Sequence, residues 1–400
     1  MSEDQRRLPP IWLLFAMMFV GQFATTVYLP GLPDIARDLN TSLSLAQTLI
    51  PAYLASFAIA QLIMGPLSDR FGRRPVIIAG LAIFTIASLA CVFAPDFATL
   101  LVARIVQAFG ACATIVVGRA MIRDTSSGVA AAQAMAYMAI ALGIGPITAP
   151  FIGGYLTIWF GWEATFIVTA LIGAGVFASV MPLLKETLPS EMRDPPAMRQ
   201  LLHAYIHLAR NRVFMAYSLT VAFATGAVAA YVTAGPIVFI ILMDVPPELY
   251  GVFITIMPPL FMIATYISRR LSIHMPIDRI ILIGVIISAT GGLIQFVAGM
   301  MAVTMPWPVL LGFGVSNFGS GFVFANCYAQ ALNTVPPAIA GAASGLSGFI
   351  HMGWGAVVSL AVASMVHTSS LQMGIGQIAT TWFGLATMLV LIFVFKRRPA

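Results

Sequence analysis

The sequence predicts an all-α integral membrane protein whose twelve transmembrane helices divide into two bundles of six. Three observations carry that expectation. Of 400 residues, 60% are hydrophobic and 8% charged, against roughly a quarter charged in a soluble domain. Exposing apolar surface to water costs about 25 cal/mol per Å², so a chain of this composition needs lipid as part of its solvent. The apolar runs are about twenty residues long, enough for a helix to cross about 30 Å of hydrocarbon. They do not alternate in polarity as the roughly ten-residue strands of a membrane barrel do. Finally, the basic residues between the runs fall almost entirely on one side of a twelve-helix path, as the positive-inside rule requires.

The spans read 11–33, 45–66, 75–94, 98–122, 132–155 and 163–183 in the first half of the chain. In the second they read 212–242, 248–268, 278–300, 306–332, 338–366 and 374–395. Arg6 and Arg7 before the first run imitate a signal peptide, but the run is long and lacks a small-residue cleavage site, so it reads as a retained helix. Between the sixth and seventh spans, charges, Pro189, Pro195, Pro196 and an amphipathic piece at 201–208 break the pattern. Residues 1–184 and 212–400 therefore form the expected bundles, with 185–211 as the linker. Tyr28-Leu-Pro-Gly-Leu-Pro33 in the first span has a loose echo in Tyr231-Val-Thr-Ala-Gly-Pro236 of the seventh, as internal duplication would leave.

Arg6 and Arg7, Arg70, Arg73 and Arg74, Arg119 and Arg123, the linker, Arg269, Arg270 and Arg279, and Lys396 to Arg398 share one side. Both termini are expected to be cytoplasmic. Arg37 falls on the other side, and Arg104 lies inside the fourth span. The net charge of +6 is spread singly between apolar runs, which points away from nucleic acid. Cys91, Cys112 and Cys327 sit within spans without CxxC spacing and read as buried thiols. An enzyme at membrane depth would need paired acids or a metal cluster. None is visible, and His203 with His207 at i,i+4 fits a surface helix better than a metal site. No cofactor or metal is expected.

The sharpest local signal is Gly65-Pro-Leu-Ser-Asp69-Arg70-Phe-Gly72-Arg73-Arg74 between the second and third spans. Its glycines permit a tight turn and close helix approach. Asp69 can meet the positive end of a helix from the other half, while the arginines hold carboxylates or carbonyls. Basic anchoring alone would explain the arginines but not Asp69 or the glycines. The loop resembles the signature GxxxDRxGRR of the major facilitator superfamily. That resemblance implies the major facilitator fold, with pseudo-two-fold symmetry between the halves, and an alternating-access transporter.

Further stretches resemble the same superfamily. Arg104-Ile-Val-Gln107-Ala-Phe-Gly110 is similar to its RxxQG pattern, with alanine in the glycine slot. A charge at membrane depth is functional unless it only ties helices together. Gly145-Pro146-Ile-Thr-Ala-Pro150-Phe-Ile-Gly153-Gly154 resembles the antiporter motif of exporters, with close small-residue packing as the alternative. Tyr28-Leu-Pro-Gly-Leu-Pro-Asp34-Ile-Ala36, Arg119-Ala-Met-Ile-Arg123-Asp124, Lys185-Glu186-Thr187-Leu188 and Ala340-Gly-Ala-Ala-Ser-Gly345 look like the bicyclomycin and chloramphenicol resistance (Bcr/CflA) branch of drug:proton antiporters. The resemblance implies a monomeric multidrug or small-solute exporter of the bacterial inner membrane, with a small organic solute, protons and the bilayer as its partners. It also implies the proton gradient as energy source. A metabolite or organic-anion transporter is the alternative.

One position departs from that branch. Where it carries an acid two residues before the tyrosine, this chain has Thr26, and none of its 14 acids is securely mid-span. His351 in the eleventh span suits a proton carrier by its ordinary pKa of about 6.5, or is a hydrogen-bonding packer. Asp34 is the other substitute if the first helix bends at Pro30 and Pro33, or else a solvated helix-end acid. Arg104 and Arg119 lie about 22 Å apart along one helix and within about 60° of each other, and both are placed on the expected path. With no carboxylate beside Arg104, the cavity is expected to favour neutral, zwitterionic or anionic solutes over lipophilic cations. Arg119 as an interfacial anchor stays open. Gln22, Tyr53, Gln61, Gln107, Tyr137, Tyr231, Asn317, Asn326, Gln330 and Trp354 are further lining candidates, each equally suited to a helix-to-helix hydrogen bond.

Overall fold

A computed structural model describes residues 9–126, 145, 148–189, 193, 198–336, 339–365 and 368–395. The predicted spans return as helices α1 (Ile11–Asp38), α2 (Leu43–Phe71), α3 (Arg73–Val92), α4 (Phe97–Thr125) and α5, described over 148–160. They continue as α6 (Glu163–Leu183), α7 (Arg212–Leu242), α8 (Pro247–Leu271), α9 (Ile277–Met300), α10 (Pro306–Asn333), α11 (Ala340–Ala363) and α12 (Leu371–Phe395). Among the described residues, 11 helices are long and apolar enough to cross a membrane. Most of the fifth predicted span, with Tyr137 and Pro146, lies outside the described residues.

Local chemistry sets the helix ends. Pro30 and Pro33 lack N–H donors, and α1 tightens there into a 3₁₀ turn at Leu29–Gly31 before resuming. Gly72, at φ +97°, makes the sharp junction between α2 and α3 that a residue with a Cβ would resist. Asp96 accepts the Thr99 N–H at 2.8 Å to start α4, and that backbone hydrogen bond holds its carboxyl below the usual range. Asn211 caps α7 by accepting from the amides of Val213 and Phe214 at 3.1 Å. Toward its end α7 widens to π geometry at Pro236–Leu242, where the proline removes a ladder donor. A separate helix in the linker, Met198–Arg210, packs on α7 and α11.

The burial pattern is that of a bundle solvated by lipid. Phe93, Leu171, Val357 and Phe383 face outward, whereas Gln107, Gln295, Gln377 and Ser347 are buried. One apolar core lies among α1 to α4 and α6, running through Leu13, Met17, Ile77, Met121 and Val180. A second lies in the later helices, through Phe214, Tyr217, Ile281, Cys327 and Leu391. Both cores sit toward the end of the molecule that carries Ile11, Phe395 and the 72–73 junction. At the opposite end the two sets of helices share a third core, in which Tyr28, Leu32, Ile50 and Phe166 pack with Tyr231, Phe239, Tyr250 and Phe313. Gln47 on α2 there donates to the Thr233 carbonyl of α7 at 2.6 Å. Along its length α2 also packs on α11, where the Gln61 side chain fills the notch at Gly348.

Candidate functional site: a buried guanidinium and a charged loop

Arg104 is wholly buried in α4. The neighbours that make this tolerable are aromatic. Its guanidinium carbon lies 4.4 Å from the Tyr28 ring centre, 4.3 Å from that of Tyr53 and 5.8 Å from that of Phe166, where the ring quadrupoles attract a cation. Nη1 donates to the Ala24 carbonyl at 3.0 Å and, in a short bond, to Gln107 Oε1. Gln107 passes the chain on to Ser88 Oγ at 2.7 Å, and Ser88 ends it on the Phe84 carbonyl at 2.7 Å. Nε and Nη2 of Arg104 have no partner among the described residues. Leaving a buried donor unused costs about 1–3 kcal/mol, more for a charged group.

Other buried polar atoms are also unused. Among the described residues, Thr26 Oγ1 and the hydroxyls of Tyr231 and Tyr250 are buried without a hydrogen-bond partner, and the buried Tyr28 hydroxyl has the Arg104 guanidinium beside it. Tyr28 belongs to α1, Tyr231 to α7 and Tyr250 to α8, so these hydroxyls lie in the core where the two sets of helices meet. Tyr231 stacks flat on Phe313, with ring centres 3.6 Å apart. Tyr53 is satisfied, donating to the Gly21 carbonyl at 3.3 Å. Among the described residues, no carboxylate pairs with the guanidinium. Asp34, the candidate at the bend in α1, pairs instead with Arg37 at 2.8 Å near the helix end.

The remaining path candidates are scattered. His351 on α11 is buried, edge-on to Phe324 with ring centres 5.6 Å apart, and its Nδ1 has no partner among the described residues. Arg119 on α4 is half-buried. Trp354 packs against Phe223 at 5.1 Å over Gly226, with its indole N–H unpartnered. Asn326 faces α8, donating to Ser268 Oγ and the Phe322 carbonyl at 2.7 Å. It therefore serves as a tie within the second set of helices.

The charged loop is a junction of three helix ends. Arg73 Nε meets Asp124 of α4 at 2.8 Å, and its Nη1 meets both Asp69 and Ser68. Among the described residues, the partner of Asp69 is thus Arg73 of its own half, not the helix start in the other half that the sequence suggested. Arg74 donates to the Met181 carbonyl at 2.9 Å, and Arg70 lies over the Phe71 ring. Gly65 has nothing within 4 Å of the place a Cβ would take. Glu186, just past α6, accepts the amides of Arg73 at 2.9 Å and Arg74 at 3.2 Å, and those of Thr187 and Leu188 at 3.0 Å. Its carboxylate presses on Gly72, where a side chain would collide with it. In the sequence, Glu186 and Asp124 stand within the stretches that resemble the resistance branch, with no role assigned to either. An acid directly after an even-numbered span, level with a glycine that opens the next helix, is the signal that would have found them.

The glycines of α5 make close approaches to both sets of helices. A Cβ on Gly145 would press on Gln22 and Phe23 of α1, and one on Gly153 would overlap the Val27 carbonyl. Gly154 abuts Pro247 and Glu248 of α8, while Gly251 of α8 abuts the Pro150 carbonyl.

A sequence profile described as Major Facilitator Superfamily matches residues 14–360. The chain belongs to the Major Facilitator Superfamily. It is a multi-pass membrane transporter with the all-α fold of that superfamily, as the charged loop led one to expect. It is 28% identical over 365 residues to a bicyclomycin resistance protein homolog of Haemophilus influenzae, covering 91% of each chain. With multidrug resistance protein D of Escherichia coli it shares 29% identity over 393 residues, covering 96% of this chain and 98% of that one. Among solved structures, a peptide transporter crystallised with alafosfalin superimposes with a TM-score of 0.77 over 97% of this chain and 94% of that chain, at 12% identity.

Proposed function

We propose that this transporter is a monomeric, proton-driven exporter of small organic solutes that carry an anionic or zwitterionic group. It sits in the bacterial inner membrane with both termini cytoplasmic, and residues 1–184 and 212–400 rock about the solute while 185–211 links them. Efflux is supported by what the relatives' names say, resistance to bicyclomycin and to multiple drugs. The solute's charge rests on one observation. Among the described residues, Arg104 is a buried cation with two unused donors and no carboxylate beside it. A carboxylate entering between the two sets of helices would meet a guanidinium fork and the Tyr28, Tyr231 and Tyr250 hydroxyls. A lipophilic cation would meet like charge in a poorly screened site. The apolar core that both sets of helices share around Tyr28, Tyr231 and Tyr250 supports a state closed at that end. His351, buried at the α10–α11 contact and unpartnered at Nδ1, is the proton-carrying candidate in the absence of a mid-span acid.

The test is transport in proteoliposomes under an imposed pH gradient, comparing a fluorescent monoanion with an ethidium-like cation. Anion movement that is lost in Arg104→Ala and uncoupled from protons in His351→Ala is the expected result. Strong cation export would sink the charge assignment. Solute that still equilibrates in wild type after the gradient is dissipated would identify a facilitator instead.

A further inference from the structure

The linker helix Met198–Arg210 carries three kinds of surface. At 100° per residue, Leu201, Ala204, Tyr205 and Leu208 fall on one stripe, and Leu208 is fully buried in the core of the later helices with Tyr205 packed beside it. Next to it runs a stripe through Leu202 and Ile206, which are 56% and 43% exposed although apolar. The third stripe holds Arg199, His203, His207 and Arg210, all exposed. The helix has no acidic residue in its first turn and ends on His207 and Arg210. Only Asn211 separates it from Arg212, the first residue of α7. Its C-terminal end is therefore held where a membrane span begins.

We infer that this helix is a binding surface for anionic phospholipid headgroups of the leaflet on the side of the termini. Leu202 and Ile206 enter the acyl boundary, and Arg199 and Arg210 hold the phosphates above them. The charge, the apolar flank and the attachment to a span all favour lipid over a soluble acidic partner, which would leave Leu202 and Ile206 in water. The helix is also placed to bear on transport. Gly345 of α11 lies between the Gln61 carbonyl of α2 and the Tyr205 hydroxyl of the linker helix, so lipid seated on the helix adjoins the α2–α11 contact.

The test uses the full chain in nanodiscs of phosphatidylcholine with increasing phosphatidylglycerol, at fixed pH. A spin label on Ile206→Cys is read by power saturation with oxygen and with a water-soluble nickel chelate. The native Cys91, Cys112 and Cys327 are buried, so labelling goes to the new site. The label is expected to gain oxygen and lose nickel accessibility as phosphatidylglycerol rises. Arg199→Gln should raise the phosphatidylglycerol needed for half the change about fivefold, and Arg199→Gln with Arg210→Gln more steeply. A label that stays water-accessible at every lipid composition overturns the inference. So does a response unchanged in the double variant, or protection only when an acidic soluble peptide is added. Labelling at the exposed Ala209→Cys in parallel checks that the helix is folded in each variant.

Discussion

At the scale of single residues, Arg104 concentrates the physics of the site. A lone buried cation is held by aromatic faces and two hydrogen bonds, with two donors left over. Replacing such a group with an apolar side chain of similar length is often neutral or stabilising. Arg104→Met should therefore leave the melting temperature in detergent unchanged or raised. Transport of an anionic solute should fall by about two orders of magnitude, the loss of a charge-assisted contact worth about 3 kcal/mol. A variant that both melts early and loses transport would mark Arg104 as structural. Its importance was legible in the sequence, because a charge amid an apolar run needs a reason. Its partners were not, since Tyr53 and Phe166 arrive from other helices that no local spacing connects to it.

At the scale of elements, charged and small residues decide how helices begin and how closely they pass. Glu186 stands over the start of α3, where amides lack intrahelical acceptors and the helix dipole favours a negative charge. Glu186→Gln is expected to lower stability by about 1–2 kcal/mol, measured as an earlier thermal transition in detergent, with salt weakening the wild type toward the variant. Gly153 is a steric case. Its missing side chain lets α5 rest on the Val27 carbonyl, and backbone cannot yield as a flexible side chain does. Gly153→Ala should cost about 1–3 kcal/mol, whereas Gly65→Ala, with open space around it, should be near neutral in the same melting assay. Sequence reading saw that glycines in the fifth span invite a close neighbour. It could not choose α1 for Gly153 and α8 for Gly154, because both lie on one helix one residue apart.

Across the whole molecule, the two sets of helices touch at both ends through different devices. Away from the termini they share an apolar core and the Gln47–Thr233 hydrogen bond, and α8 meets α5 at Gly251 and Pro150. Toward the termini α2 and α11 touch at Gln61 and Gly348. Gly251→Leu should wedge the first end apart and lengthen the distance between spin labels on Asn40→Cys and Asp244→Cys, measured by pulsed dipolar spectroscopy. Gly348→Phe, acting at the other end, should leave that distance short while slowing transport. The sequence by itself determined that this chain dissolves in lipid, that its helices are long enough to cross it, and which side its charges favour. Those properties are sums over local composition and the period of one helix. Only the tertiary structure decided that no carboxylate among the described residues partners Arg104, that Asp69 pairs within its own half, and that Glu186 caps α3. The first and last depend on which helices become neighbours, settled by packing between segments far apart in the chain, whereas Asp69 and Arg73 are four residues apart and meet across the turn at Gly72.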